Sequence, residues 1–171
     1  SESSKAYRIR AISRLLNQKA GEVAIVPVDS LLLKLPPREF FVERSFTVRV
    51  GEEIERDALV ERLMQAGYQR QPLTEEIGDF SVRGGVVDLF SPALDRPVRI
   101  ELFGDEIDRM RTFDPRTQRT EGDIDEIRVL CASEVVLGDR SRERFLKRLK
   151  ALADRLNLPS SARDGLADEV R

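Results

Sequence analysis

GDFSVRGGVVDLFSPALDRPVRIELFGDEID, residues 78–108, decides how this chain folds. Phe80 and Val82 alternate with Ser81 and Arg83, Gly84-Gly85 interrupts, and a second run resumes from Val86 to Phe90. Period-two alternation is the spacing of a pleated strand with one buried face, and paired glycines between two such runs mark a tight hairpin or bulge. A turn carrying Pro92 and Pro97 leads into Val98–Phe103, and after Gly104-Asp105 another strand is expected over 107–113. The stretch predicts a small antiparallel sheet made of consecutive short strands.

Within Val98-Arg99-Ile100-Glu101-Leu102-Phe103, the residues Val98, Ile100 and Leu102 face one way and are core. Arg99, Glu101 and Phe103 face the other way, and an arginine, a carboxylate and an aromatic together are the residue types of a binding hot spot. Arg83 shares its face with Ser81 and joins this patch if the strands pair. The same pattern also allows Phe103 to turn into a second core while the arginines form local ion pairs.

Outward from this sheet, Phe46, Val48 and Val50 alternate with Thr47 and Arg49, which reads as a strand from Ser45 and a change of subdomain. Leu59, Val60 and Leu63 fall on one side of a helix over 55–66, with Gly67 at its C-cap. Residues 117–122 read as a polar connection and 126–130 as a strand. Nearer the N-terminus, Ile9, Ile12, Leu15 and Leu16 predict an amphipathic helix over 5–18. The apolar run Val23-Ala24-Ile25-Val26 reads as a strand buried on both faces. Asp29-Ser30 fits the N-cap of a helical turn over 31–35, stopped by Pro36-Pro37. Residues 141–156 place Phe145, Leu149, Leu152 and Leu156 on one side of a helix whose basic residues form a solvated face, and from Pro159 a small-residue tail is expected to be mobile or cut from a larger protein. The fold class expected is α+β with α/β elements: a small antiparallel-sheet domain with helices, flanked by parts of an α/β domain.

Composition removes most chemistry. The 171 residues contain no histidine and one cysteine, Cys131, which excludes histidine-dependent nucleophile systems, imidazole metal ligands, an internal disulfide and a cysteine-rich zinc site. Cys131 follows Val129-Leu130 and reads as a small buried filler. No Gly-Lys pair occurs, so there is no P-loop; the acidic group at 123–126 lacks the full ligand pattern of a calcium loop, and those at 75–76 and 105–108 sit beside turns where acidic residues cap or solvate. No apolar run approaches the ~20 residues of a membrane helix, and there is no leader-like start, so no membrane partner and a reducing cytoplasm are expected. Charge is nearly balanced, 29 basic against 31 acidic residues, and only five of the basic ones are lysine. The arginine excess suits ion-pair networks and interfaces, as it would also follow from genomic base composition.

Three blocks, GDFSVRGGVVDLF (78–90), RPVRIELFGDEID (96–108) and FDPRTQRT (113–120), resemble in order the UvrB-homology module of bacterial nucleotide-excision repair. UvrB-type helicases and transcription-repair coupling factors (Mfd) share that module, and FDPRTQRT with VPVDSLLLKLPP (26–37) is more similar to the coupling factors. The resemblance implies a helicase-like α/β domain interrupted by a UvrA-binding insert. On this chain it implies boundaries of 1–39 for the end of the first α/β part, 40–120 for the insert and 121–171 for the returning part. It also implies a role in recruiting UvrA, with RNA polymerase and DNA contacted elsewhere in a longer ATP-dependent translocase that uses ATP and Mg. No catalytic, cofactor or metal residue is expected in this chain. The alternative is a piece of a UvrB-type helicase that contacts UvrA and DNA. Arg70, Arg83, Arg99 and Glu101 match the family's UvrA contacts, and the family's aromatic contact falls on Leu102 or Phe103, of which the strand facing favours Phe103, while Ser81 stands where UvrB has an arginine. Reversing Arg83 or Arg99 to Glu is expected to abolish UvrA binding with the fold intact. An exposed strand edge could make the chain a homodimer.

Overall fold

The computed structural model describes residues 2–32, 34–134 and 139–156, and the chain divides into two units, 1–136 and 137–171. In the larger unit the elements are α1 (Glu2–Leu16), α2 (Val28–Leu31), α3 (Arg38–Glu43), β1 (Phe46–Arg49), α4 (Arg56–Gln65), β2 (Gln69–Arg70), β3 (Asp79–Arg83), β4 (Val86–Leu89), β5 (Val98–Phe103), β6 (Glu106–Phe113), β7 (Thr120–Asp123) and β8 (Glu126–Val129). The second unit holds α5 (Asp139–Arg155), a helix where one is expected over 141–156. The tail expected from Pro159 lies outside the described residues.

Six strands form one sheet in the order β2-β3-β4-β5-β6-β7. The four central strands are linked by antiparallel pairs in the expected hairpin order, Arg83 opposite Val86 across the Gly84-Gly85 turn and Phe103 opposite Glu106 across Gly104-Asp105. β1 and β8 form a separate antiparallel pair, with Phe46 opposite Val129. The sheet buries Phe80, Val87, Leu89, Val98, Ile100, Ile107 and Met110 in one core with Leu59 and Leu63 of α4 and with Val48, Ile127 and Val129 of the β1–β8 ribbon. Phe80, Val98 and Ile100 are alternate positions that the period-two reading assigns to the inside, whereas Ile107 and Met110, three residues apart, are both buried across a register shift between β5 and β6; this apolar burial is the main force holding the unit.

Two glycines are required by geometry. Gly67 ends α4 with a φ of 88°, the left-handed conformation a helix C-cap favours, and so lets Tyr68 turn back to donate its amide to the Leu63 carbonyl. At Gly85 a Cβ would lie 2.9 Å from the Leu102 carbonyl oxygen, so β4 and β5 can approach this closely only without a side chain there. Tyr68 is buried with its hydroxyl donating to the Leu130 carbonyl at 2.9 Å, and burial holds its ionisation well above the usual phenol range. A smaller cluster joins Ile9 and Ile12 of α1 to Phe41, Leu130 and Cys131. Cys131 is the expected buried filler, and burial pushes its thiol up to about 11.

Several expectations are corrected. The run 23–26 forms no strand: Val23 is 89% exposed and Ile25 95%, because no described strand lies alongside to take its backbone hydrogen bonds. The helical turn expected over 31–35 forms earlier, as α2, behind Pro27, whose N-cap position has no side-chain cap bond. Helix α3 is additional to the expected elements and follows Pro37, with Phe41 buried beneath it. The polar connection over 117–122 ends in strand β7, which pairs with β6 through Thr112 and Gly122. Strand β2 pairs in parallel with β3, against the all-antiparallel expectation. From Thr120 onward, β7 extends the large sheet and β8 closes on β1. Among the described residues no helix is long and apolar enough to cross a membrane.

Candidate protein-binding face

The outward face of the sheet is decided by register. Ser81, Asp88, Arg99, Arg111 and Asp123 stand opposite one another across β3 to β7, and Arg83, Val86, Glu101 and Arg109 form the next row. The structure therefore brings Arg83, Arg99 and Glu101 together on one face, as the strand pattern predicts.

At the centre of the first row is a carboxylate the sequence reading does not single out. Asp88 is 1% exposed and accepts three charge-assisted hydrogen bonds. Arg99 donates from Nε to Oδ1 at 2.8 Å and from Nη2 to Oδ2 at 2.9 Å, a bidentate fork, and Arg83 donates from Nη2 to Oδ2 at 2.8 Å. A buried carboxylate demands such partners, since an uncompensated charge there would be several kcal/mol unfavourable. The hydrogen bond to Asp88 in turn holds the Arg99 guanidinium protonated more firmly than that of a free arginine. Arg99 also lies over the Phe113 ring, 4.9 Å from its centroid, and its side chain is 17% exposed against 49% for Arg83. Two further pairs complete the face: Arg111 with Glu101, and Arg109 with Asp123 through two bonds of 2.8 and 3.1 Å. Arg109 is the chief reason the exposed Asp123 ionises below the usual carboxylate range.

One end of the face is roofed and the other open. Thr74 is fully buried, its hydroxyl reaching Ser81 Oγ at 3.2 Å and the Asp88 carbonyl at 3.3 Å, while Gln118 donates its amide to the Pro115 and Thr74 carbonyls. Ser81 is thus covered by its own chain. At the open end Phe103 is 83% exposed beside the Gly104-Asp105 turn, while its neighbour Leu102 packs against the core. The alternative that Phe103 turns into a second core is not what the structure holds, but the local ion pairs of that alternative are present.

Arg70 does not share this face. It lies exposed on the edge strand β2, in register with Phe80, a core-side position. Arg99 is the main counter-ion of a buried carboxylate. Asp88, Arg109, Arg111 and Phe113 were missed; the available signal was a lone acid inside the apolar run Val86-Val87-Asp88-Leu89. Among the described residues no three acidic or cysteine side chains are placed to hold a metal ion.

A family model described as the UvrB interaction domain matches residues 46–135, the span that opens with β1 and runs just beyond β8. The chain belongs to the UvrB interaction domain family. This UvrB interaction domain chain is 43% identical over 153 residues to the transcription-repair-coupling factor of Myxococcus xanthus, covering 90% of the chain and 13% of that relative. It is 37% identical over 163 residues to the transcription-repair-coupling factor of Staphylococcus haemolyticus (strain JCSC1435), and 36% over 163 residues to that of Staphylococcus aureus (strain MRSA252), each covering 94% of the chain and 14% of the relative. The chain therefore spans about a seventh of the length of these curated relatives.

Proposed function

We propose that this chain is the UvrA-recruiting module of a transcription-repair coupling factor. The observation that carries the reading is the open end of the sheet face, where an exposed Phe103 and a half-exposed Arg83 stand beside Glu101 in a domain of the UvrB interaction family. An aromatic beside arginine suits a partner surface with an apolar socket rimmed by carboxylates. Arg83 and Glu101 supply charged contacts to that rim, Phe103 enters the socket, and Arg70 makes a separate contact from the sheet edge. Arg99 contributes mainly by holding the face together.

Titration of the purified chain with UvrA tests this. Phe103→Ala and Arg83→Glu are expected to weaken binding by ~2 to 4 kcal/mol each, the range of single hot-spot losses, with unfolding transitions close to the parent's for Phe103→Ala. Undiminished affinity in both variants overturns the assignment.

The longer protein, on this reading, is an ATP-dependent DNA translocase of the bacterial cytoplasm that meets RNA polymerase and DNA through other domains. No Gly-Lys phosphate loop occurs in this sequence, so ATP and magnesium belong, on this reading, to other parts of the longer protein. Self-association is the other use open to the exposed run 23–26, and sedimentation at rising chain concentration reads it.

A further inference from the structure

We propose that Asp88 is the positioning residue of the UvrA-binding face, a buried counter-ion that holds Arg83 in its binding geometry; this rests on the reading just given. The trio Asp88, Arg83 and Arg99 carries two guanidinium charges against one carboxylate. Arg99 takes both oxygens of Asp88 in a fork, lies over Phe113 and is mostly covered. Arg83 takes only Oδ2, with one nitrogen, so its Nε and Nη1 have no partner among the described residues, and it is half exposed. The surplus positive charge is thereby placed on the arginine that can reach a partner.

An arginine on a free surface samples many rotamers and loses that freedom on binding. Here the freedom is already removed by an anchor that is itself immobile: Asp88 lies between β3 and β5 with partners on both, and the Thr74 hydroxyl reaches its carbonyl. Asp88 touches no partner. It acts through Arg83, leaving that guanidinium's unpaired N–H groups turned outward for charge-assisted hydrogen bonds to carboxylates of UvrA.

The first test needs no variant and no partner. In ¹⁵N spectra of the whole chain, the groups that bond Asp88, Arg83 Nη2–H and Arg99 Nε–H, should exchange with solvent at least tenfold more slowly than the corresponding groups of Arg70, the exposed edge arginine; equal rates overturn the proposal. In Asp88→Asn, chosen to keep the side-chain shape, the Arg83 signal should lose this protection and UvrA affinity should fall about tenfold. In an Arg83→Ala background the same substitution should change affinity less than twofold. An equal loss in both backgrounds means Asp88 is merely structural and sinks the proposal, as does parental affinity in Asp88→Asn. Phe103→Ala separates the two readings: if it loses UvrA binding while Asp88→Asn does not, only the positioning role fails, and if neither loses binding the recruitment reading fails with it.

Discussion

Replacing Arg99 by alanine is expected to cost far more stability than replacing Arg83, although both donate to the same carboxylate. Asp88 is 1% exposed, so water cannot substitute for a lost donor. Arg99→Ala removes two of its three hydrogen bonds and the cover over Phe113; Arg83→Ala removes one bond from a half-exposed side chain. Removing one partner of a buried ion pair typically destabilises by ~3 to 5 kcal/mol. The surviving Arg83 bond and the residual exposure of Arg99 place the change at the lower end, about 3 kcal/mol, whereas Arg83→Ala should cost about 1 kcal/mol. For a chain of this length 3 kcal/mol corresponds to a fall of roughly 6 to 12 °C in Tm. Urea unfolding followed by circular dichroism measures it directly: with a slope of about 2 kcal/mol per molar, the midpoint should drop by about 1.5 M for Arg99→Ala at unchanged slope. Equal destabilisation by the two variants, or a loss below about 1 kcal/mol for Arg99→Ala, would refute the view that Arg99 is the principal counter-ion. Arg99→Glu should be worse than alanine in the same assay, because it sets a second carboxylate against Asp88.

Three further outcomes are expected. Gly85→Ala, whose Cβ would sit 2.9 Å from the Leu102 carbonyl oxygen, should lower the urea midpoint by the equivalent of ~1 to 3 kcal/mol, while alanine at the open, exposed Gly84 meets no atom and should cost only backbone strain. Phe80→Ala, emptying a fully buried core position, should destabilise by ~3 to 5 kcal/mol, whereas Phe103→Ala should leave the unfolding midpoint within about 0.5 kcal/mol of the parent because that ring is in solvent. Burial raises the Cys131 thiol from 9.0 to about 11, so the folded state keeps its proton while the unfolded state loses it; stability is full below pH 9 and should fall between pH 9 and about 11. Urea midpoints across that window read the loss, and Cys131→Ala should remove part of the slope.

The sheet was legible because its physics is local. Alternation of Phe80, Val82, Val98, Ile100 and Leu102 needs only one buried face, and two-residue turns at 84–85 and 104–105 set the neighbouring registers, so which side chains point outward follows from counting. Helix α4 and its Gly67 stop were legible for the same reason. The Asp88 hub was not, because it depends on the register between β4 and β5, whose connection over 90–97 is too long for a turn rule to fix; only that register places Arg99 beside Asp88. The run 23–26 misled because apolar content tells of a preference for burial but not of a strand alongside to pair with. Strand β7 was overlooked because Thr120-Glu121-Gly122-Asp123 carries no apolar face: an edge strand exposed on both sides has backbone pairing as its only signature. Of the expected contacts, Phe103 followed from strand parity, whereas the placing of Arg70 on the other side of the sheet required the parallel pairing of β2 with β3.

Because Phe46 pairs with Val129, the polypeptide enters and leaves the sheet domain at one point. Holding the two ends of a host protein's loop side by side carries almost no closure entropy, whatever length of chain is sewn between them. The adjacent ends of residues 46–129 are the geometry that lets a domain be inserted into a surface turn of another protein. Any pull or twist applied to that protein can reach the aromatic tip at Phe103 only through a ribbon two strands wide.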